Sequence, residues 1–149
     1  MQLQLSLDLD SPAIPYLNHW NRHYGLPPRL ITIKRALDVI CHSPSKLFDG
    51  ADWMHLGVSK RIGFSTRWWL LALKLAVEDS ARLLHPTPFG IQLLTQWDEY
   101  LEDPASLWLL HWRLLQPPCH SAALYWLFNQ YYPVSFSSND LKVSCSAFK

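Results

Sequence analysis

A chain of 149 residues, 49% hydrophobic and 17% charged, is long enough for one compact core and leaves little room for a second full domain. That balance excludes intrinsic disorder, and eight tryptophans are more aromatic surface than one small core needs, which points some of them at a partner. The net charge of +1 hides an uneven distribution, because His19 to Leu75 holds nine Lys and Arg against three Asp, or +6, and the remainder therefore carries −5.

In chain order, residues 1–28 read as an irregular arm: Met1 to Asp10 alternates Leu with polar residues, and Pro12, Pro15, Pro27 and Pro28 break the next stretch into pieces. A helix is expected from Ile31 to His42, where Ile33, Ala36, Leu37 and Ile40 fall at helical spacing opposite Lys34, Arg35 and Asp38. Ser43-Pro44-Ser45 ends it, and Lys46 to His55 reads as a short helix or a turn-rich connection. Leu56-Gly57-Val58-Ser59 is a tight turn ending in an N-cap serine, and a helix is expected over 60–75. The i, i+3, i+4 spacing sets Ile62, Thr66, Trp69 and Leu73 on its packing stripe and Lys60, Phe64, Arg67, Leu71 and Lys74 on a basic one.

Leu75 to Leu84 fits two short strands joined at Asp79-Ser80. Pro86, Pro88 and Gly90 then interrupt, and Ile91 to Tyr100 resumes a helical pattern. Asp103-Pro104 supplies an N-cap and a first-turn proline for a helix to Leu115, Pro117-Pro118 stops it, and Ser121 caps a further helix from Ala122 to Tyr132. Ser137 to Asp140 is a candidate cap with little chain left to fold after it.

These elements predict a mainly α chain: a winged helix-turn-helix with a small β wing over residues 29–100, succeeded at 101–149 by an aromatic-rich helical hairpin and tail packed on it. The helix after the glycine turn is the one that enters the major groove in that motif. Lys60, Arg61, Phe64, Arg67, Trp68 and Lys74 are therefore the expected DNA contacts, with Arg29, Lys34 and Arg35 on the phosphate backbone. Trp108, Trp112, Trp126 and Phe128 are the candidates for a protein interface, weighed against ordinary packing, as a buried role is for His111.

Other chemistry is weaker. Cys41, Cys119 and Cys145 are odd in number and unpaired in spacing, which predicts reduced thiols and a cytoplasmic protein. No signal peptide or membrane span is expected. His23, His42 and His120 with Cys41 and Cys119 offer donors for zinc, but adjacent Cys-His pairs on a helix diverge and no C-x-x-C knuckle exists, so no metal site is expected. Asp98, Glu99, Glu102 and Asp103 could hold Mg²⁺ for phosphodiester cleavage, yet helix capping accounts for them more simply. No nucleophile with a recognisable context and no glycine-rich phosphate loop is present.

Several blocks resemble one bacterial family, the SspB-like proteins of DNA phosphorothioation systems, whose domain of unknown function is numbered four thousand and seven. Leu56-Gly57-Val58-Ser59-Lys60 looks like its L-G-V-G-K, and Arg67-Trp68-Trp69-Leu70 with Ala72-Leu73 like its R-Y-W-x-x-A-L. The run from Tyr100 to Trp112 resembles its Y-L-E-D-P-A-T-L-W-L-L-H-W block and is the most specific signal. Tyr125 to Asn129 is similar to its W-Y-W-x-F-N segment, and Phe136 to Leu141 to the F-T-x-x-x-L after it.

Nearer the start, His23, Pro28, Arg29, Lys34 and Arg35 fall at matching positions of H-E-T-F-x-P-R-x-x-W-L-K-K, while Tyr24, Gly25, Leu26 and Thr32 depart from it. The resemblance implies a shortened member that works on duplex DNA beside the protein partners of a modification or antiviral defence complex. It also raises an SspB-like DNA nickase, with His23 and Arg29 as surviving catalytic candidates and Mg²⁺ or Mn²⁺ as the only implied cofactor. The leading expectation is a non-enzymatic DNA-recognition component without cofactor. The nickase and a winged-helix adaptor without DNA affinity stand as alternatives, and a homodimer is compatible with each.

Overall fold

The computed structural model describes residues 23–43 and 52–148. The expectations for Met1 to Asp10, for Pro12 and Pro15, and for the connection at Lys46 lie outside the described residues. The described residues are mainly helical with one two-stranded sheet.

Helix α1 runs Leu30–His42 and buries Ile33, Ala36, Leu37 and Ile40, the stripe its periodicity defines. A single short turn, α2 (Asp52–His55), leads through Gly57, whose φ of +65° suits a residue without a side chain, to α3 (Lys60–Ala72). The Ser59 hydroxyl accepts the Ile62 N–H and caps α3.

Helix α3 stops three residues before the expected limit, because Lys74 turns left-handed at φ +58°. The Lys74 N–H then donates to the Leu71 carbonyl and the Leu75 N–H to that of Leu70, which closes the helix as a Schellman motif with Leu70 and Leu75 both buried. Strand β1 (Ala76–Glu78) pairs antiparallel with β2 (Leu84–Pro86), Ala76 opposite Pro86.

Pro86 ends β2, and Pro88 begins a helix where the sequence implied an interruption. Thr87 caps α4 (Pro88–Gln92), Pro88 takes the first turn, where its missing N–H costs nothing, and α4 passes straight into a π-helical turn, Leu93–Trp97. Gly90 allows this by lying against the Leu75 carbonyl, where a Cβ would collide with the oxygen.

Helix α5 (Pro104–Leu115) begins at the Asp103 cap, whose carboxylate accepts the Ala105 N–H, and the Ser121 hydroxyl caps α6 (Ala122–Asn129) by accepting the Leu124 N–H. The Pro117-Pro118 bond between them is cis. Residues Ser138–Phe148 form α7, an eleven-residue helix where little further structure was expected. Ser137 and Asp140 exchange hydrogen bonds at its start.

One core joins these pieces: Ile33, Leu37 and Ile40 of α1, Leu70 of α3, Leu75, Leu84, Leu93 and Leu94 pack with Leu110 and Leu114 of α5. No described helix is long and apolar enough to cross a membrane.

Candidate nucleic-acid interface

The exposed part of α3 is its beginning. Lys60 and Arg61 are open to solvent on the first turn, while from Gly63 to Leu73 only Phe64, Arg67 and Leu71 are even partly accessible. Lys60, Phe64 and Arg67 share one stripe, with the Lys60 ammonium 5.6 Å from the centre of the Phe64 ring.

Two other segments flank this stripe. The turn at His23–Leu26 is fastened to α3 by side-chain donors, Arg61 Nη2 to the Tyr24 carbonyl at 2.9 Å and Trp69 Nε1 to the Leu26 carbonyl at 3.0 Å. Tyr24 lies stacked on Phe64, ring centroids 5.6 Å apart and planes 21° from parallel. On the other flank the β1–β2 hairpin is clamped to α3: Arg67 reaches Glu78 at 2.6 Å and donates to the Arg82 carbonyl. The tip is organised by Asp79, whose Oδ1 accepts the N–H groups of Ala81 and Leu83 and whose Oδ2 meets His85 at 2.8 Å. Those hydrogen bonds, the one with His85 foremost, hold the Asp79 carboxyl below its usual range. Arg82 stands at that tip with its side chain 76% exposed, in contact with Glu78.

The expected basic face of α3 is thus corrected beyond its first turn. Arg67 is only 12% exposed and spends its charge on Glu78. Trp68 is buried, edge-on to Trp69 and to His23. Lys74 points the other way, donating from Nζ to the carbonyls of Arg113 at 2.5 Å and Gln116 at 2.7 Å, and burial pulls its pKa down. Lys34, expected on the phosphate backbone, is buried against Asp38 at 2.6 Å and Glu99 at 3.6 Å. Burial pulls its pKa down, and those two carboxylates more than reverse the effect. Arg29 and Arg35 are exposed, on the lead-in to α1 and on α1 itself.

Two surface groups escaped the sequence reading. Arg82 carries a signal, since a cation inside the turn of a predicted hairpin is displayed by construction. Tyr24 carries none, because its exposure depends on how the turn docks onto α3.

The remaining candidates separate. His23 packs on Trp68 and Trp69, with a buried Nδ1 that has no hydrogen-bond partner, and no hydrogen bond or ring contact among the described residues joins it to Arg29. Trp108 and Trp112 are open on the outer face of α5, 72% and 58% exposed, and Phe128 is open on α6, where it meets the edge of His111. Trp126 differs: it is buried beside Tyr131, a packing residue.

Three of the four acidic residues have structural partners, Asp98 accepting the N–H groups of Glu102 and Asp103, Asp103 capping α5, and Glu99 meeting Lys34. Among the described residues no group of three His, Cys, Asp or Glu side chains is placed to hold a metal.

Comparison with curated proteins finds no match. Two solved structures match across 87% of the chain: one described as a magnesium ion-bound SspB crystal structure, 29% identical with a TM-score of 0.78, and one as an SspB crystal structure, 28% identical with a TM-score of 0.79. The chain spans 41% and 42% of those two chains. Residues 20–149 match the family described as protein of unknown function (DUF4007). With nearly the whole chain inside that match, this protein belongs to the DUF4007 family and is SspB-like in sequence and fold.

Proposed function

We propose that this chain is a cytoplasmic DNA-binding component of a bacterial phosphorothioation-linked or related defence assembly, gripping duplex DNA with a winged helix. The order helix, short helix, helix and antiparallel strand pair supports this, with α3 as the recognition helix and the β1–β2 hairpin as the wing. SspB likeness supports the choice of assembly.

The observation that carries the proposal is the placing of exposed cations at both ends of one ridge, Lys60 and Arg61 on the first turn of α3 and Arg82 at the hairpin tip. In this reading the first turn of α3 enters the groove and Arg82 reaches the neighbouring phosphates. Arg29 and Arg35, also exposed, add backbone contacts. The exposed Trp108, Trp112 and Phe128 form the docking face for a protein of the same assembly.

Titration of a labelled duplex at several salt concentrations tests this. Wild type is expected to lose affinity steeply as salt rises, and Lys60→Ala with Arg61→Ala to flatten the logarithmic slope by about 2, about 0.9 per phosphate contact removed. An unchanged slope in that double variant rejects the ridge, and absence of binding at low salt rejects the function.

A further inference from the structure

The Tyr24 ring is held where packing covers only about half of it. It is 47% exposed, yet its backbone sits in the left-handed region at φ +59°, with Gly25 next at +68°. For a tyrosine that conformation costs about 1–2 kcal/mol. The turn is nevertheless fixed from outside, by the Arg61 guanidinium on the Tyr24 carbonyl and the Trp69 indole on the Leu26 carbonyl. One ring face rests on Phe64, and on the same stripe Lys60 approaches Phe64.

An exposed aromatic ring, backed by a second ring and bordered by two exposed cations, has the parts of a nucleobase platform. A base stacks on the ring through its flat face, and Lys60 and Arg61 neutralise the phosphates on either side of it. Base faces are covered by neighbouring pairs inside an intact duplex, so only a base outside the stack can present one. We propose that Tyr24 is a stacking platform for an unpaired nucleobase, and that the DNA this chain prefers carries a base displaced from its pair. The proposal rests on the DNA-binding reading above and adds the class of substrate.

The test compares three probes, each with one 2-aminopurine: a fully paired duplex, a duplex with the fluorescent base in a one-nucleotide bulge, and a single strand. Wild type is expected to bind the bulged duplex about five- to hundredfold more tightly than the paired one, the range set by one aromatic–base stack, and to change the 2-aminopurine emission on binding. Tyr24→Leu is expected to remove most of that preference while leaving paired-duplex affinity and its salt slope intact. Tyr24→Phe, which keeps the ring, is expected to retain it.

Equal preference for bulge and single strand identifies the source as any unpaired base, and preference for the bulge alone as a base extruded from a duplex. Salt-dependent binding without preference, or preference that survives Tyr24→Leu, overturns the platform and leaves DNA binding standing. No binding to any probe overturns both.

Discussion

At the Lys74 position two separate functions of one residue can be pulled apart. Its backbone terminates α3 in the left-handed region, while its ammonium supplies donors to the Arg113 and Gln116 carbonyls at the end of α5, where a helix has no donors of its own. Lys74→Ala removes the donors and keeps the strained backbone, and is expected to cost about 2 kcal/mol, in the range for hydrogen bonds made by a charged group. Lys74→Gly loses the same donors and relieves the left-handed strain, so it should be about 1 kcal/mol more stable than the alanine variant. Urea denaturation of the three proteins reads both differences. If glycine proves no better than alanine, the backbone strain is not real. The same residue explains why a basic stripe read from helical spacing fails beyond its first turn: spacing fixes direction around the axis, but Arg113 and Gln116, far along the chain, decide what Lys74 touches.

Among the elements, the β1–β2 hairpin makes a pH-dependent prediction. Asp79 has its pKa lowered by the hydrogen bond with His85 and by the N–H groups of Leu83 and Ala81. A carboxyl whose folded pKa is depressed contributes stability that is present above the unfolded value of 3.8 and lost as pH falls through the folded value. The hairpin should therefore loosen as the solution is acidified below 3.8, and Asp79→Asn should remove its share of the acid step, Asp98 and Asp140 being depressed as well, while lowering the melting temperature at neutral pH. Melting curves from pH 6 to about 2.5 check it; an acid step undiminished in the variant places the titrating group elsewhere.

Elements with local signals were legible in the sequence: the Ser59 cap, the Asp103-Pro104 start and the strand pair around Asp79 each depend on neighbours a few residues away. Helix α7 was not, because its stripe is weak and only its Ser137–Asp140 start is signalled. In the candidate site the sequence identified Lys60, Arg61 and Phe64 but not the burial of Lys34 and Trp68, since Glu99 and the His23 turn come from distant parts of the chain.

For the molecule as a whole, α5 decides whether the chain melts as one body. Its inner face places Leu110 and Leu114 in the core with Ile33, Leu37 and Leu70, while its outer face exposes Trp108 and Trp112. Substitutions on the two faces of this one helix should then differ sharply in cost. Leu114→Ala is expected to cost about 2–5 kcal/mol, the loss of a buried leucine plus the cavity it leaves. Trp108→Ser with Trp112→Ser, at residues 72% and 58% exposed, should change stability by no more than about 0.5 kcal/mol per site. Because the core is shared, Leu114→Ala should lower a single transition in which helix content and tryptophan fluorescence change together, with Trp68 and Trp69 in α3 and Trp126 in α6 reporting from before and after α5. An early transition confined to the helices after Asp103, with α1 and α3 melting later, would mean that the leucine contacts only dock the C-terminal helices onto an independently folded unit. The tryptophan double variant is the control for both cases, since substitutions on the exposed face should leave the melting midpoint unmoved.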